Sequence, residues 1–213
     1  MPLIRQKPSF AEEKLLRKQG YRLVAGVDEV GRGALMGPVV AAAVILPENF
    51  KSSWKSNVRD SKQLSPQVRE YLYDFIKEEA VSVGIGSIPS EVIDKLGIAR
   101  ATRLAMVAAI EQLEPPPQFL LIDYIRLAEI SLPQKGIKFG DSLCFSIACA
   151  SIIAKVTRDR WAIEIDRDYP GYGFAEHKGY GTEGHMKCLR VKGPCPLHRR
   201  SFRPVSELVG YSR

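Results

Sequence analysis

Residues 24–46 read VAGVDEVGRGALMGPVVAAAVIL, two apolar runs rich in β-branched and small side chains, separated by Gly31, Gly33, Gly37 and Pro38. Such runs suit the pleated surface of a sheet, and the glycines and proline supply the breaks of a connecting loop. The segment reads as a β-hairpin: a strand over 21–28, a long glycine-rich turn, and a strand over 39–46. The first strand ends in two acids, Asp28 and Glu29, in otherwise apolar surroundings. Neighbours on an extended strand point to opposite faces. For both acids to serve one site, the strand must end or bulge there, as the glycines that follow would permit.

Beyond the hairpin, Ser65 followed by Pro66 makes an N-cap and first-turn pair, and Val68, Leu72, Phe75 and Ile76 recur at helical spacing, predicting a helix to about Glu79. Val81, Val83 and Ile85 alternate as a strand. Ser90 is expected to cap a helical region that breaks near Gly97 and resumes to Leu113. After the Pro115, Pro116, Pro117 connector, residues 119–122 form a short apolar strand that delivers Asp123 at its C-terminal end. From Asp141 to about Asp166, with Ile152, Val156 and Ile163 on one face, a helix is expected with Asp141 as its N-cap. The order is that of a mixed α/β domain with a central sheet.

The 213 residues, 45% hydrophobic and 26% charged, exclude disorder for most of the chain, and the length suffices for a core without disulfide or metal staples. The longest uncharged stretch, 33–47, is broken by Gly37 and Pro38 and falls short of the roughly 20 apolar residues that span a bilayer. The first residues, MPLIRQKPSFAEEK, lack the apolar centre of a signal peptide. A cytoplasmic protein with no membrane association is expected, with Cys144, Cys149, Cys188 and Cys195 reduced.

The net charge of +7 is unevenly spread. Residues 177–204 hold Lys178, Lys187, Arg190, Lys192, Arg199, Arg200 and Arg203 against Glu183 alone, and residues 1–22 hold Arg5, Lys7, Lys14, Arg17, Lys18 and Arg22 against Glu12 and Glu13. An acidic centre between basic ends suits a protein that grips a polyanion around a metal, and equally a solvated surface kept charged for solubility.

Four acids, Asp28, Glu29, Asp123 and Asp141, stand at element ends in apolar context, so three chain elements can bring carboxylates to one rim of the sheet. Two like charges about 4 Å apart repel by about 4 kcal/mol at an effective dielectric near 20, and a divalent cation reverses that sign. Hard oxygen ligands without paired Cys or His point to Mg²⁺ or Mn²⁺ rather than zinc. Taken singly, Asp141 reads more readily as a helix cap and Asp123 as a turn former.

The motifs VDEVGRGALMGPVVAAAVIL, DSKQLS, LLID, KFGD, SIACASIIAKVTRDR, YPGYGFAEHKGYGT and HRRSF, in that order over about residues 24–205, together closely resemble bacterial ribonuclease H type 2, the ribonuclease HII family. The resemblance implies a ribonuclease H-like fold, a central mixed sheet flanked by helices. It divides the chain into an N-terminal basic segment (1–20), a catalytic domain (21–170) and a basic C-terminal segment contacting substrate (171–213). It implies hydrolysis, with a two-metal site, of the phosphodiester 5′ to a ribonucleotide embedded in duplex DNA, and of the RNA strand of RNA·DNA hybrids, leaving 3′-hydroxyl and 5′-phosphate. The family's catalytic and metal-binding acids fall on Asp28, Glu29, Asp123 and Asp141, its 2′-hydroxyl-reading stretch on Gly31, Arg32 and Gly33, and its substrate-contacting tyrosine on Tyr180. Ala34, Met36 and Tyr124 depart from the usual pattern, the last standing where glycine is common. The type 3 enzymes usually carry lysine where Arg32 lies between the two glycines.

Lys62 and the tail arginines are candidate phosphate contacts, and His177 and His198 are expected to approach phosphate or cap backbone. Cys144 and Cys149 are expected to fill an apolar helix face. Tyr180, between Gly179 and Gly181, is expected on a flexible, exposed turn. A competing reading draws His185, Cys188, Cys195 and His198 as a zinc knuckle in a noncatalytic nucleic-acid-binding module. The spacing opposes it, since structural zinc sites usually pair ligands as C-x(2 to 4)-C. The expected state is a monomer with no obligate protein partner.

Overall fold

The computed structural model describes residues 7–210. Arg5 and the other outermost residues of the 1–20 and 171–213 segments lie outside the described residues. The hairpin forms as read: β1 (Val24–Val30) and β2 (Val39–Ile45) pair antiparallel, and β3 (Ser82–Ile88) pairs antiparallel with β2. On the other side of β1, β4 (Phe119–Asp123) and β5 (Gln134–Ile137) add in parallel, giving the order β3-β2-β1-β4-β5. This is the expected mixed α/β sheet with one strand more than the sequence pattern revealed: β5, sequence QKGI, has no apolar alternation to announce it.

In chain order the helices are α1 (Ala11–Lys18), α2 (Pro66–Glu79), α3 (Ser90–Leu96), α4 (Ile98–Glu111), α5 (Gly140–Leu143), α6 (Phe145–Asp166), α7 (Phe174–His177), α8 (Glu183–Lys192) and α9 (Val205–Leu208). Strand alternation divides β1 and β2 between two cores. Val40, Ala42 and Val44 pack with α2 and α6 residues such as Leu72, Ile76, Ile152 and Val156 on one face. Ala25, Val27, Val39, Ala41 and Ala43 pack with Ala105, Met106 and Ala109 of α4 on the other. Each large aliphatic side chain buried this way stabilises by roughly 1.5–3 kcal/mol. α6 approaches β1 so closely that a Cβ at Gly26 would lie 2.2 Å from the Ser146 carbonyl carbon, so Gly26→Ala would push the long helix off the strand. Among the described residues no helix is long and apolar enough to cross a membrane.

Two helix starts differ from expectation. Ser90 lies inside α3, buried, and its side chain makes no cap; Pro89 precedes the helix. The expected single helix from Asp141 is two. α5 is four residues long, Cys144 is extended (φ −111°, ψ 127°), and α6 begins after it, so Asp141 sits within α5 and caps nothing. The break has a long-range cause. Ser9 bridges Cys144, its N–H donating to the Leu143 carbonyl at 3.0 Å and its carbonyl accepting from the Phe145 N–H at 3.0 Å. The buried Glu13 carboxylate of α1 then accepts from the Ser146 N–H at 2.9 Å, capping α6 from the other end of the chain.

Candidate active site

The parallel register of β1 and β4 runs from Val24 beside Phe119 to Val27 beside Ile122. One residue further, it brings Asp28 alongside Asp123, at the rim where both strands point. The expected bulge at Asp28 and Glu29 is absent: antiparallel pairing to β2 continues unbroken through Asp28 with Ala42, Glu29 with Ala41 and Val30 with Val40. Asp28 therefore lies on the α6 face and Glu29 on the α4 face. Pairing with β4 stops at Val27, and both acids stay near enough to Asp123 for its charge to raise them. Asp123 accepts from the Gly140 N–H at 2.6 Å, which ties β4 to the loop that presents Asp141.

Asp28 is only 5% exposed. Burial, then the charges of Glu29 and Asp123, hold its carboxyl well above the usual carboxylate range, against the Ser151 hydroxyl and the Glu29 N–H, which donates to it at 2.7 Å. Burial also raises Glu29, opposed by the Arg32 guanidinium 3.3 Å away, and raises Asp123, opposed by the Gly140 N–H and assisted by Asp141. Lys62 sits 3.2 Å from Asp141; burial would lower its ammonium, but Asp141 and Asp60 outweigh that and raise it. Three carboxyls pushed toward their neutral forms at one rim are a charge deficit that a cation relieves.

These residues fit a hard divalent ion. The donors are all carboxylate oxygens. Among the described residues no three Asp, Glu, His or Cys side chains already form a metal cage; the like-charged acids instead turn to Lys62, Arg32 and the Gly140 N–H. The fit rests on the uncompensated buried charge of Asp28, Glu29 and Asp123 and on the donor chemistry.

Beside the acids runs the loop of residues 31–38. Gly31 has φ +88°, and a Cβ there would lie 2.3 Å from Arg158 Nε, whereas Gly33 opens on space with nothing within 4 Å of such a Cβ. Two buried arginines hold this loop. Arg158 of α6 donates to the carbonyls of Pro38 (3.0 Å), Met36 (3.0 Å) and Lys178 (2.8 Å). Arg199 donates to Gly37 (3.0 Å) and Arg32 (3.0 Å). Sequence reading missed Arg158, Ser61 and Ser151; the two hydroxyls meet at 2.9 Å beneath the site. An Arg on a helix otherwise buried on many sides, as Arg158 is within SIACASIIAKVTRDR, was the available signal.

The C-terminal segment corrects several expectations. Arg199 is fully buried, so it contacts backbone, not phosphate, whereas Lys187, Arg190, Lys192, Arg200 and Arg203 are exposed. His198 is buried too, and of its two expected roles it takes the backbone one; the described residues do not assemble a zinc knuckle. The Cys195 N–H donates to His198 Nδ1 at 3.0 Å, His198 and His185 meet through Nε2 at 3.0 Å, and His185 Nδ1 lies 2.9 Å from the Tyr180 carbonyl. The first bond makes His198 Nδ1 an acceptor, so its Nε2 carries the proton and the relay runs from His198 to His185 to Tyr180. Burial holds both imidazoles down to about 4, with repulsion from neighbouring imidazoles adding to it, so they are neutral near pH 7. Cys188 faces the Gly171 carbonyl instead, at 3.1 Å. His177 takes the backbone role, accepting from the Gly179 N–H at 3.1 Å, and Cys144 and Cys149 are buried, as expected.

Tyr180 is half-buried rather than freely exposed. Its ring lies 5.4 Å from the Arg158 guanidinium and 5.6 Å from Lys155 Nζ, beside a cavity of about 310 Å³ that includes Asp159, His177 and Lys178. Leu35 N–H donates to the Gly179 carbonyl at 2.8 Å. The glycine-rich loop and the Tyr180 turn are thereby one cross-linked unit.

Residues 25–205 match the family described as Ribonuclease HII. The chain belongs to the ribonuclease HII family. It is 59% identical over 202 residues to a ribonuclease HII of Dehalococcoides mccartyi, covering 95% of each chain. It is 52% identical over 205 residues to one from Geotalea uraniireducens, covering 96% of this chain and 94% of that one. The crystal structure of the ribonuclease H2 from Pyrococcus horikoshii superimposes with a TM-score of 0.72 at 25% identity, covering 87% of this chain and 96% of that one. The protein is accordingly a ribonuclease H type 2 endoribonuclease with the ribonuclease H-like fold, and the noncatalytic reading is not favoured. Divalent-metal dependence comes with the family.

Proposed function

We propose that this ribonuclease HII cleaves the phosphodiester 5′ to a ribonucleotide embedded in duplex DNA, and the RNA strand of RNA·DNA hybrids, with Asp28, Glu29, Asp123 and Asp141 holding two Mg²⁺ or Mn²⁺ ions. The observation that carries this is the register of β1 and β4, which sets Asp28 beside Asp123 at a rim where burial and mutual repulsion disfavour their charged forms. When bound, a metal pair activates the attacking water and stabilises the leaving 3′ oxygen, which requires no protein nucleophile.

The chain's own residues supply position and selection. The backbone of Gly31, Arg32 and Gly33 reads the ribose 2′-hydroxyl, which both donates and accepts hydrogen bonds. Gly33, with open space where a Cβ would be, lets a sugar approach the main chain closely. The Tyr180 ring, backed by Arg158 and Lys155, packs against the neighbouring sugar. Lys62, whose side chain is 78% exposed, is free to exchange Asp141 for a phosphate near the groove it lines with Lys7 and Arg59. The 21–170 region is the catalytic domain, the basic 1–20 and 171–213 segments flank it, and the 171–213 segment contacts substrate. The enzyme works as a cytoplasmic monomer with no obligate protein partner.

The test is one incubation. Purified protein with Mg²⁺ or Mn²⁺ should nick a duplex containing a single ribonucleotide, leaving 5′-phosphate on the ribonucleotide, and EDTA should abolish the nick. Binding with no nick under either metal sinks the proposal.

A further inference from the structure

Three non-glycine residues in the described chain have positive φ: Tyr124 (+62°), Phe139 (+60°) and Lys178 (+51°). A bulky side chain in that region is disfavoured, and strained backbone clusters where function requires it. All three lie in loops that carry candidate site residues. Tyr124 follows Asp123, Phe139 comes two residues before Asp141, and Lys178 comes two before Tyr180. Lys178 has an internal role, its carbonyl held by Arg158 and its ammonium bonding the Ala175 carbonyl. Tyr124 and Phe139 point outward: they are 67% and 58% exposed, the two most exposed aromatic side chains among the large apolar residues at the described surface.

The local geometry holds them there. The Ile125 N–H donates to the Asp123 carbonyl at 2.7 Å, closing a three-residue turn centred on Tyr124, and the Tyr124 N–H donates to the Ile137 carbonyl at 2.8 Å. A γ-turn with positive φ at its centre is rare and strained. Tyr124 comes directly after β4 and Phe139 two residues after β5, each next in sequence to a partner of the Asp123 to Gly140 hydrogen bond. Lys138 Nζ lies 5.4 Å from the Phe139 ring, and Arg126 and Lys138, close to the two rings in sequence, are exposed. Exposed aromatic rings beside cations offer apolar faces to the sugars of a nucleic-acid strand, as they offer stacking faces to unpaired bases.

Sheet order then fixes which part of the substrate meets them. Along the rim come the 31–38 loop between β2 and β1, the acids at β1 and β4, and the two rings at β4 and β5. A strand cleaved over the acids must leave in both directions. We infer that Tyr124 and Phe139 form an aromatic platform that contacts the nucleotides on the flank opposite the 31–38 loop and Tyr180. The inference rests on the proposed position of the substrate over the acids.

The test removes the rings while relieving the backbone, with Tyr124→Gly, Phe139→Gly and the double variant. Affinity for a fluorescent duplex containing one ribonucleotide is read by anisotropy in EDTA, at fixed salt and without cleavage. The double variant should bind roughly tenfold more weakly, while its melting temperature stays at or above that of the parent. Trimming the duplex on one flank should weaken the parent toward the variant and leave the variant little changed, whereas trimming the other flank should weaken both alike. Unchanged affinity, a lower melting temperature accompanying the affinity loss, or equal responses to trimming on both flanks would each overturn the platform. If the parent binds but does not nick with metal, the catalytic reading fails, and the affinity and trimming results still decide the platform independently.

Discussion

At the sheet rim, burial leaves Asp28, Glu29 and Asp123 short of positive charge; in the C-terminal segment, burial lowers Arg199 and holds His185 and His198 neutral. The first region is built around an unmet need and the second around hydrogen bonds that tie buried side chains largely to backbone. Arg199, lowered to about 9 by burial and then by the charge of Arg158, spends its donors on the carbonyls of Arg32 and Gly37. The imidazoles pass one hydrogen bond to the next until it reaches the Tyr180 carbonyl. A cluster of buried charge marks chemistry when its members repel one another, and scaffolding when its hydrogen bonds run mostly to backbone carbonyls.

The largest test of this contrast is at the rim. Asp28→Asn and Asp123→Asn should each cut single-turnover cleavage by at least roughly a thousandfold, since metal stabilisation is worth several kcal/mol and each 1.36 kcal/mol is tenfold in rate. In EDTA at pH 7, Asp28→Asn should melt no lower than the parent, because a carboxyl raised on folding disfavours the folded state above its unfolded pKa. A lower melting temperature would move Asp28 to the scaffolding class.

Arg199→Ala should behave the opposite way, lowering unfolding free energy in urea by roughly 3 kcal/mol through dry carbonyls and lost volume. Neutral stability would show that the guanidinium cross-link is idle. The imidazoles supply a pH signature. Their folded values of about 4 lie below the unfolded 6.5, so the unfolded chain binds more protons between those values. The imidazoles' contribution should be complete above pH 6.5 and fall as pH drops toward 4, while the raised rim carboxyls act in the opposite sense. The difference in urea midpoint between the parent and His198→Gln isolates the imidazole part, and it should shift against the parent as pH drops through that window. The smallest effect belongs to the exposed tail: Arg200→Ala should reduce the slope of log affinity against log salt by at most about 0.9, the value for one lost phosphate contact. An unchanged slope would place Arg200 on the solvated face.

What the sequence disclosed divides along the same line. The hairpin, the helix from Pro66 and the strand ending at Asp123 were legible because composition and spacing within a few residues determine them. Asp28 and Asp123 stood out as acids closing apolar runs. That Asp28 and Glu29 both stay near Asp123 without a bulge was hidden, because it depends on how β1 pairs with β4. Asp141 read as a cap because the chain that breaks the helix after it is Ser9. Arg199 read as surface charge because its partners, Arg32 and Gly37, lie more than 160 residues away in sequence. Local rules described elements and missed long-range hydrogen bonds to backbone.

The bridge from Ser9 to Cys144 and the cap from Glu13 to Ser146 also bear on local opening. The segment they secure carries Asp141, and its anchors come from the opposite end of the chain. The amides of Phe145 and Ser146 therefore belong to the same cooperative unit as residues 9–13. In native-state hydrogen exchange the Phe145 and Ser146 amides should follow the detachment of that early segment rather than the fraying of α6, and loosening it at Ser9 or Glu13 should expose them together.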